Sequence, residues 1–148
     1  MGSASRAFSK CSAACDLSPR DSASTPWAKS KWGLAIAAID AVGGSKRFKV
    51  THDTFHHFVA GEKDVFADRT GLIHVSGVTD KKHTIDTMRD AQRVLVDGND
   101  MIDNRGQVQR LMAAGYKGYV SFEPFAAEVH KSKMIARELA RSMDYLEV

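Results

Sequence analysis

The sequence has few of the features that mark secreted, membrane or nucleic-acid-binding proteins. Its 148 residues include two cysteines, Cys11 and Cys15, without a second pair or a nearby histidine to complete a zinc site. A disulfide between them would close only a very short loop and would stabilise little of the chain. We therefore expect free thiols in a reducing compartment, the cytoplasm. No apolar run is long enough to span a bilayer. A net charge of +3 without a stripe of Lys and Arg does not favour DNA or RNA as a partner.

Residues 1–25 differ in composition from the rest of the chain. They are rich in Ser and Ala, and they lack glutamate and hydrophobic periodicity. Such a segment buries too little apolar surface to offset its ordering entropy, which predicts a disordered or non-native tail. The basic, serine-rich composition also has features of an organelle transit peptide, although Asp16 and Asp21 do not fit one. We therefore expect the folded domain to comprise residues 26–148.

Helical and strand-like patterns alternate after this tail. Thr25 and Pro26 predict the start of a helix that ends before Gly43 and Gly44. Alternation of this kind is typical of parallel βαβ units. The predicted strands are residues 47–53, 71–76, 93–96 and 119–123, and the predicted later helices lie around Met88, at residues 104–114 and from residue 131 onward.

Polar side chains that can bind a metal recur where these strands end. Asp53 and His56 follow the first strand, His74 lies near the end of the second, and Glu123 ends the fourth. The carboxyl ends of parallel strands open onto one rim, so these groups can converge despite their separation in sequence. Carboxylates and imidazole suit Mn, Mg, Co or Zn, which predicts a divalent-metal site.

Four segments together resemble the sugar isomerase and epimerase barrels of the xylose isomerase-like superfamily. They are Asp53-Thr54-Phe55-His56, residues 72–74, residues 93–96 and residues 114–123, and they have the order and approximate spacing of that family. The resemblance implies an α/β fold, the C-terminal half of a (β/α)8 TIM barrel with about four parallel strands and flanking helices. Within the superfamily, the segments are most similar to those of inosose (2-keto-myo-inositol) isomerase, an enzyme of inositol catabolism.

The resemblance also implies a role for each candidate residue. Asp53, His74 and Glu123 would bind the metal, and Glu123 would also move a proton through an enediolate. His56 would act in catalysis and, with Arg93, would hold oxygens of a small sugar or cyclic polyol ketone. The family's isomerisation needs a divalent metal and no organic cofactor.

One departure from the family pattern bears on activity. A complete barrel has eight strands and about 250 residues, and the family's second glutamate comes from the strand before the one that ends at Asp53. No glutamate precedes Glu62 in this sequence. We therefore expect a truncated form, inactive unless a second copy or a missing N-terminal half completes the barrel. The alternative is a non-catalytic fragment that binds metal weakly. An apurinic-endonuclease-like repair protein ranks last, because its zinc cluster needs more ligands.

The candidate ligands also have simpler structural interpretations. Asp53 could cap the turn that follows it, and His74 could be a hydrogen-bonded histidine of the core. Glu123 lies among aromatic residues and proline, where a carboxylate without a partner would be costly. A metal would supply that partner.

Residues near the candidate ligands also have alternative interpretations. Arg93 could form a surface salt bridge with Asp90 or Asp97 instead of contacting a substrate. His52 and His57 are expected either at the surface or behind the metal ligands. The sequence leaves these alternatives open.

Overall fold

The computed structural model describes residues 30–147, and its centre is a three-stranded parallel sheet with helices packed against it. The strands are Val50–Asp53 (β1), Thr70–Val75 (β2) and Tyr119–Phe122 (β3). The helices are Lys31–Ala41 (α1), Thr54–Val59 (α2), Asn104–Ala113 (α3), Ala127–Lys131 (α4) and Ile135–Leu146 (α5). The predicted tail and the helix start expected at Thr25 and Pro26 lie outside the described residues. The predicted parallel α/β architecture is confirmed.

The register of the sheet sets the positions of the candidate ligands. The strand order is β1-β2-β3, and both pairs are parallel. Asp53 is paired with His74, which is paired in turn with Ser121 on β3. Side chains at paired positions of a parallel sheet point to the same face, and residues two apart along a strand share a face. Glu123 is two residues beyond Ser121, so the register directs all three candidate ligands to one face.

The segment predicted as a fourth strand forms only a single antiparallel bridge. Val94 and Gly77 exchange two backbone hydrogen bonds of 2.8 and 2.9 Å. Residues 90–92 just before it form a 3₁₀ turn, and the helix predicted around Met88 is absent. The apolar run at 94–96 contributes to the core instead, where Val96 is 1% exposed. The prediction of a strand at residues 93–96 was therefore wrong, and hydrophobicity alone could not distinguish a buried loop from a strand.

Helix ends follow local capping chemistry. The hydroxyl of Ser30 accepts a hydrogen bond from the Gly33 N–H at the start of α1. Asp103 caps α3 by accepting a hydrogen bond from the Gly106 N–H. Asn104 is buried, and its amide nitrogen donates to the Ser76 carbonyl. The C-terminal helical region is divided into α4 and α5, so the long helix begins at Ile135 rather than at residue 131.

Two apolar clusters form the core. The larger cluster lies between the sheet and helices α3 and α5, and the smaller one packs around α2. Among the described residues, no helix is long and apolar enough to cross a membrane. The larger cluster contains Ala67, Ile73, Val75, Val96, Val108, Leu111, Tyr116 and Leu146, and the smaller contains Phe55, Val78, Met88 and Ile102.

Candidate metal centre

Asp53, His74 and Glu123 meet at the C-terminal rim of the sheet. One possible ligand atom from each lies within 4.8 Å of the others. Nδ1 of His74 is 3.2 Å from Oε1 of Glu123. The side chains of His74 and Glu123 are 24% and 33% exposed, so the cluster is open to solvent on one side. The convergence predicted from the strand ends is present, although their role as metal ligands stays a prediction.

Asp53 ends β1 and begins α2, and this position explains its charge state. Its Oδ1 accepts a hydrogen bond of 3.0 Å from the His56 backbone N–H, which caps the helix. Burial alone would raise the pKa of Asp53, but this hydrogen bond and the nearby Arg93 guanidinium together bring the pKa below its ordinary value. The turn-capping interpretation and the ligand interpretation are therefore compatible, because the second oxygen faces the rim.

Arg93 lies at the centre of the cluster. Its Nη2 donates to Oδ2 of Asp53 at 2.9 Å and to Oε2 of Glu123 at 2.7 Å. It also pairs with Asp90, as one alternative proposed, and the side chains of Arg93 and Asp90 are 1% and 64% exposed. This salt bridge therefore joins a buried guanidinium to a carboxylate at the surface. The predicted contact of Arg93 with a substrate stays a prediction.

His56 lies in the first turn of α2 and is exposed. Its ring packs edge-on against Phe55, with a centroid separation of 5.3 Å. An exposed imidazole three residues after Asp53 is available to a molecule at the rim. Its predicted catalytic and substrate-holding roles are not tested by this geometry alone.

His52 and His57 are buried on the side of β1 that faces away from the rim. The expectation of a surface position for them was therefore wrong. Their rings are 4.5 Å apart, and Trp32 packs against both. Nε2 of His52 is 3.0 Å from Oε1 of Gln107. Burial lowers the pKa of His52 to about 4, so its ring is neutral near pH 7. Strand alternation was the available signal: if Asp53 faces the rim, its neighbour His52 must face the helices.

The donor set fits a divalent cation. Two carboxylates and one imidazole are the protein ligands that Zn, Mn and Co accept. Two carboxylates also exceed the single guanidinium beside them, so the rim carries excess negative charge. Among residues 30–147, these three side chains form the group of His, Cys, Asp or Glu that lies close enough together to hold a metal ion.

Comparison with known proteins agrees with this geometry. A family model described as a xylose isomerase-like TIM barrel matches residues 26–146. A crystal structure of a xylose isomerase domain containing protein from Salmonella typhimurium LT2 is 32% identical, with a TM-score of 0.71. That match covers 78% of this chain and 44% of the other. No match to a curated protein accompanies these findings.

A second solved structure shares the fold at lower identity. The crystal structure of IolI protein with a bound zinc atom has a TM-score of 0.60 and 21% identity, and the match covers 74% of this chain and 42% of that one. At this identity the match shows the fold alone. The chain thus spans less than half the length of both solved structures.

Proposed function

We propose that this chain, which belongs to the xylose isomerase-like TIM barrel family, contributes the metal-binding rim of a sugar or polyol isomerase or epimerase. The family match confirms the predicted superfamily and TIM-barrel fold class. The observation that carries the functional proposal is the convergence of Asp53, His74 and Glu123 within 4.8 Å. By resemblance, the substrate is a small ketose or a cyclic polyol ketone of the inosose type.

In this proposal, Asp53, His74 and Glu123 hold a divalent cation, Mn, Mg, Co or Zn. The bound zinc of the IolI structure supports such a cation, although it belongs to that protein. When bound, a cation of this kind polarises a ketone and the neighbouring hydroxyl, which makes the intervening C–H more acidic. The half-exposed positions of His74 and Glu123 leave room for substrate oxygens at the rim.

Glu123 acts as the base. Its carboxylate takes the proton from the hydroxyl-bearing carbon and returns it to the former carbonyl carbon, while the hydroxyl proton passes to the former carbonyl oxygen, so the ketone and the alcohol exchange places with no net change in protons. The exposed imidazole of His56 binds a substrate oxygen. Arg93 has one Nη1 hydrogen that is not used by the described residues, and this hydrogen is the one it can offer to a second oxygen.

A complete site requires more ligands than residues 30–147 supply. The family's fourth ligand and opposing acid or base have no counterpart among the described residues, and the outer edges of β1 and β3 have no strand partner among residues 30–147. We propose that a second copy, or an N-terminal half of a barrel, pairs with these edges. By itself the chain would then bind metal but turn over substrate very slowly.

Two other functions are less well supported. A non-catalytic fragment with weak metal binding is favoured by the three-ligand site, since three ligands bind more weakly than four. A DNA-repair nuclease of the same fold needs several zinc ions, and the described residues present ligands for one. The first alternative differs from the main proposal only in turnover.

Metal titration and an isomerase assay test the proposal. We expect calorimetry with Mn²⁺ or Co²⁺ to show dissociation constants of roughly micromolar to millimolar. Loss of a residue that hydrogen-bonds to a metal ligand typically weakens metal binding by roughly 10- to 100-fold. Glu123→Gln removes a ligand itself, so it should weaken binding by more than that. Glu128→Gln, the same change at an exposed position on α4, should have no effect.

Activity provides the second measurement. Turnover of inosose by the chain alone should be very low or absent, because loss of a positioned acid or base costs about 10²- to 10⁴-fold. Addition of an N-terminal half in trans should raise it. Robust turnover by the chain alone that survives Glu123→Gln would contradict the assignment, and so would the absence of any metal binding.

A further inference from the structure

We propose that Arg93 is a positioning residue that aligns Asp53 and Glu123 for a cation. This inference rests on the proposed metal site and goes beyond a contact with substrate. Arg93 is among the largest fully buried side chains of the described residues, with 1% exposure. A buried guanidinium that contacts two candidate ligands can fix their separation before a metal arrives.

One nitrogen of Arg93 links the two carboxylates. Both hydrogens of Nη2 are used, one by Asp53 at 2.9 Å and the other by Glu123 at 2.7 Å. The angle between these two N–H bonds is set by the planar guanidinium, so it also sets the directions from which the carboxylates approach. An ionised carboxylate offers about four lone-pair sites. Each carboxylate therefore keeps sites with which to bind a metal.

The guanidinium is itself held in place by further hydrogen bonds and by two aromatic rings. Its Nε donates to the hydroxyl of Ser76 at 2.7 Å, and Nη1 donates to Asp90 at 3.2 Å. The rings of Phe55 and Phe125 lie 5.0 and 4.8 Å from its central carbon. These contacts prevent the guanidinium from rotating with the carboxylates, so it acts as a fixed template for them.

The backbone of Arg93 holds the segment after β3 as well. Its carbonyl accepts hydrogen bonds from the N–H groups of Phe125 and Ala126, at 2.9 and 2.8 Å. Arg93 therefore holds Glu123 through its side chain and through Phe125 and Ala126, two and three residues beyond it. The loop that failed to form a strand thus has a structural role, because it brings one residue to both carboxylates.

Two effects of Arg93 on metal binding oppose each other. Its positive charge repels a cation, whereas its hydrogen bonds hold together two carboxylates that would otherwise repel each other. If repulsion dominated, an uncharged side chain would tighten metal binding, and lysine would leave it unchanged. If alignment dominates, as we propose, lysine must weaken binding, because one ammonium cannot reproduce the planar fork.

The test is a Co²⁺ titration of the metal-free chain followed by the visible absorption of the bound metal. We expect Arg93→Lys to weaken binding by about 10- to 100-fold and to change the shape of the cobalt spectrum, which reports ligand geometry. Arg137→Lys, the same change at an exposed position on α5, should alter neither. An unchanged affinity and spectrum in folded Arg93→Lys would overturn the inference.

Ser76→Ala provides a milder variant if Arg93→Lys does not fold. It removes the anchor of Nε while the charge of Arg93 remains, and we expect weaker Co²⁺ binding in the same direction. Urea unfolding of each metal-free variant distinguishes a positioning role from a purely structural one. A purely structural role would lower stability but leave the Co²⁺ affinity of the folded protein unchanged, and that result would reject the inference. Failure of the unaltered chain to bind Co²⁺ would instead reject the proposed metal site.

Discussion

Residues 52 and 53 are neighbours on β1, yet their side chains enter two different polar clusters on opposite sides of the strand. The rim cluster consists of Asp53, His74, Glu123 and Arg93. The closed cluster consists of Trp32, His52, His57 and Gln107. Both contain histidine and both lie partly or fully buried, so their differences show what distinguishes a candidate metal site from a structural network.

The closed cluster contains no carboxylate or guanidinium, and its polar groups are hydrogen-bonded. The amide nitrogen of Gln107 donates to the carbonyls of Thr54 and Ile102, at 3.1 and 2.9 Å. Its oxygen must therefore accept, which assigns the hydrogen of His52 to Nε2. Nε2 of His57 likewise donates to the carbonyl of Asp64 at 3.0 Å. The cluster has no carboxylate for a cation to bind, and these donors have acceptors.

The rim cluster has the opposite properties. Two carboxylates face one guanidinium, and His74 and Glu123 are partly exposed. Excess negative charge at a partly open position is what a cation would offset, whereas two buried histidines without a carboxylate offer it little. The comparison teaches that the charge balance and access of a cluster, rather than its number of histidines, mark the candidate site.

The largest effect on stability should come from the closed cluster. Gln107→Leu would leave His52 Nε2–H and the Ile102 carbonyl without their partner, and the Thr54 carbonyl would keep only its hydrogen bond within α2. Each unsatisfied buried group costs roughly 1–3 kcal/mol, and since these costs are not additive we expect a loss of about 3 kcal/mol in the free energy of unfolding. Urea denaturation measures it, and Co²⁺ affinity should remain within about twofold, far below the 10- to 100-fold typical of an outer partner.

The matched control is Gln109→Leu, the same change at an exposed position of α3. It should alter stability by no more than about 0.5 kcal/mol. If Gln107→Leu abolished Co²⁺ binding while the protein stayed folded, the two clusters would be coupled, and their separation by strand alternation would be wrong.

An intermediate effect should appear on acidification of the metal-free protein in EDTA. The pKa of His52 is about 4 in the folded state, against an ordinary value of 6.5. Between these values the unfolded chain binds a proton that the folded chain does not, so stability is complete above pH 6.5 and falls as the pH drops. From pH 7.5 to pH 5 we expect a loss of about 2 kcal/mol.

Two variants identify the source of this pH dependence. His52→Asn should remove most of the slope between pH 7.5 and pH 5, whereas His83→Asn should leave it intact. The pKa of Asp53 lies below its ordinary value of 3.8, so its carboxylate stays ionised in this window. An identical slope in His52→Asn and the unaltered chain would show that His52 is not the group responsible.

Strand alternation and strand ends made much of the rim predictable from the sequence. Asp53, His74 and Glu123 lie near or just beyond the ends of their strands, and parallel strands bring such ends to one rim. The position of Arg93 was not predictable in the same way, because it depends on a loop held by Gly77 and on one hydrogen bond to Ser76. Tertiary contacts of this kind have no period in the sequence, and neither does the division of the last helix.

The smallest effect on stability should come from His74, and it gives the sharpest contrast with His52. The imidazole of His74 is 24% exposed, and its ionic contact in the described residues is with Glu123. Pairs at such positions contribute roughly 0–1 kcal/mol, so His74→Asn should change the free energy of unfolding by less than about 1 kcal/mol. The same variant should bind Co²⁺ at least about 10- to 100-fold more weakly, which is the loss typical when a residue that supports a metal ligand is removed. The reason is that asparagine replaces an imidazole ligand by a shorter amide.

His83→Asn, the same substitution in a loop, should change neither quantity. A large loss of stability in His74→Asn with Co²⁺ affinity intact would make His74 a structural histidine like His52, and the rim would then be a second closed network rather than a metal site.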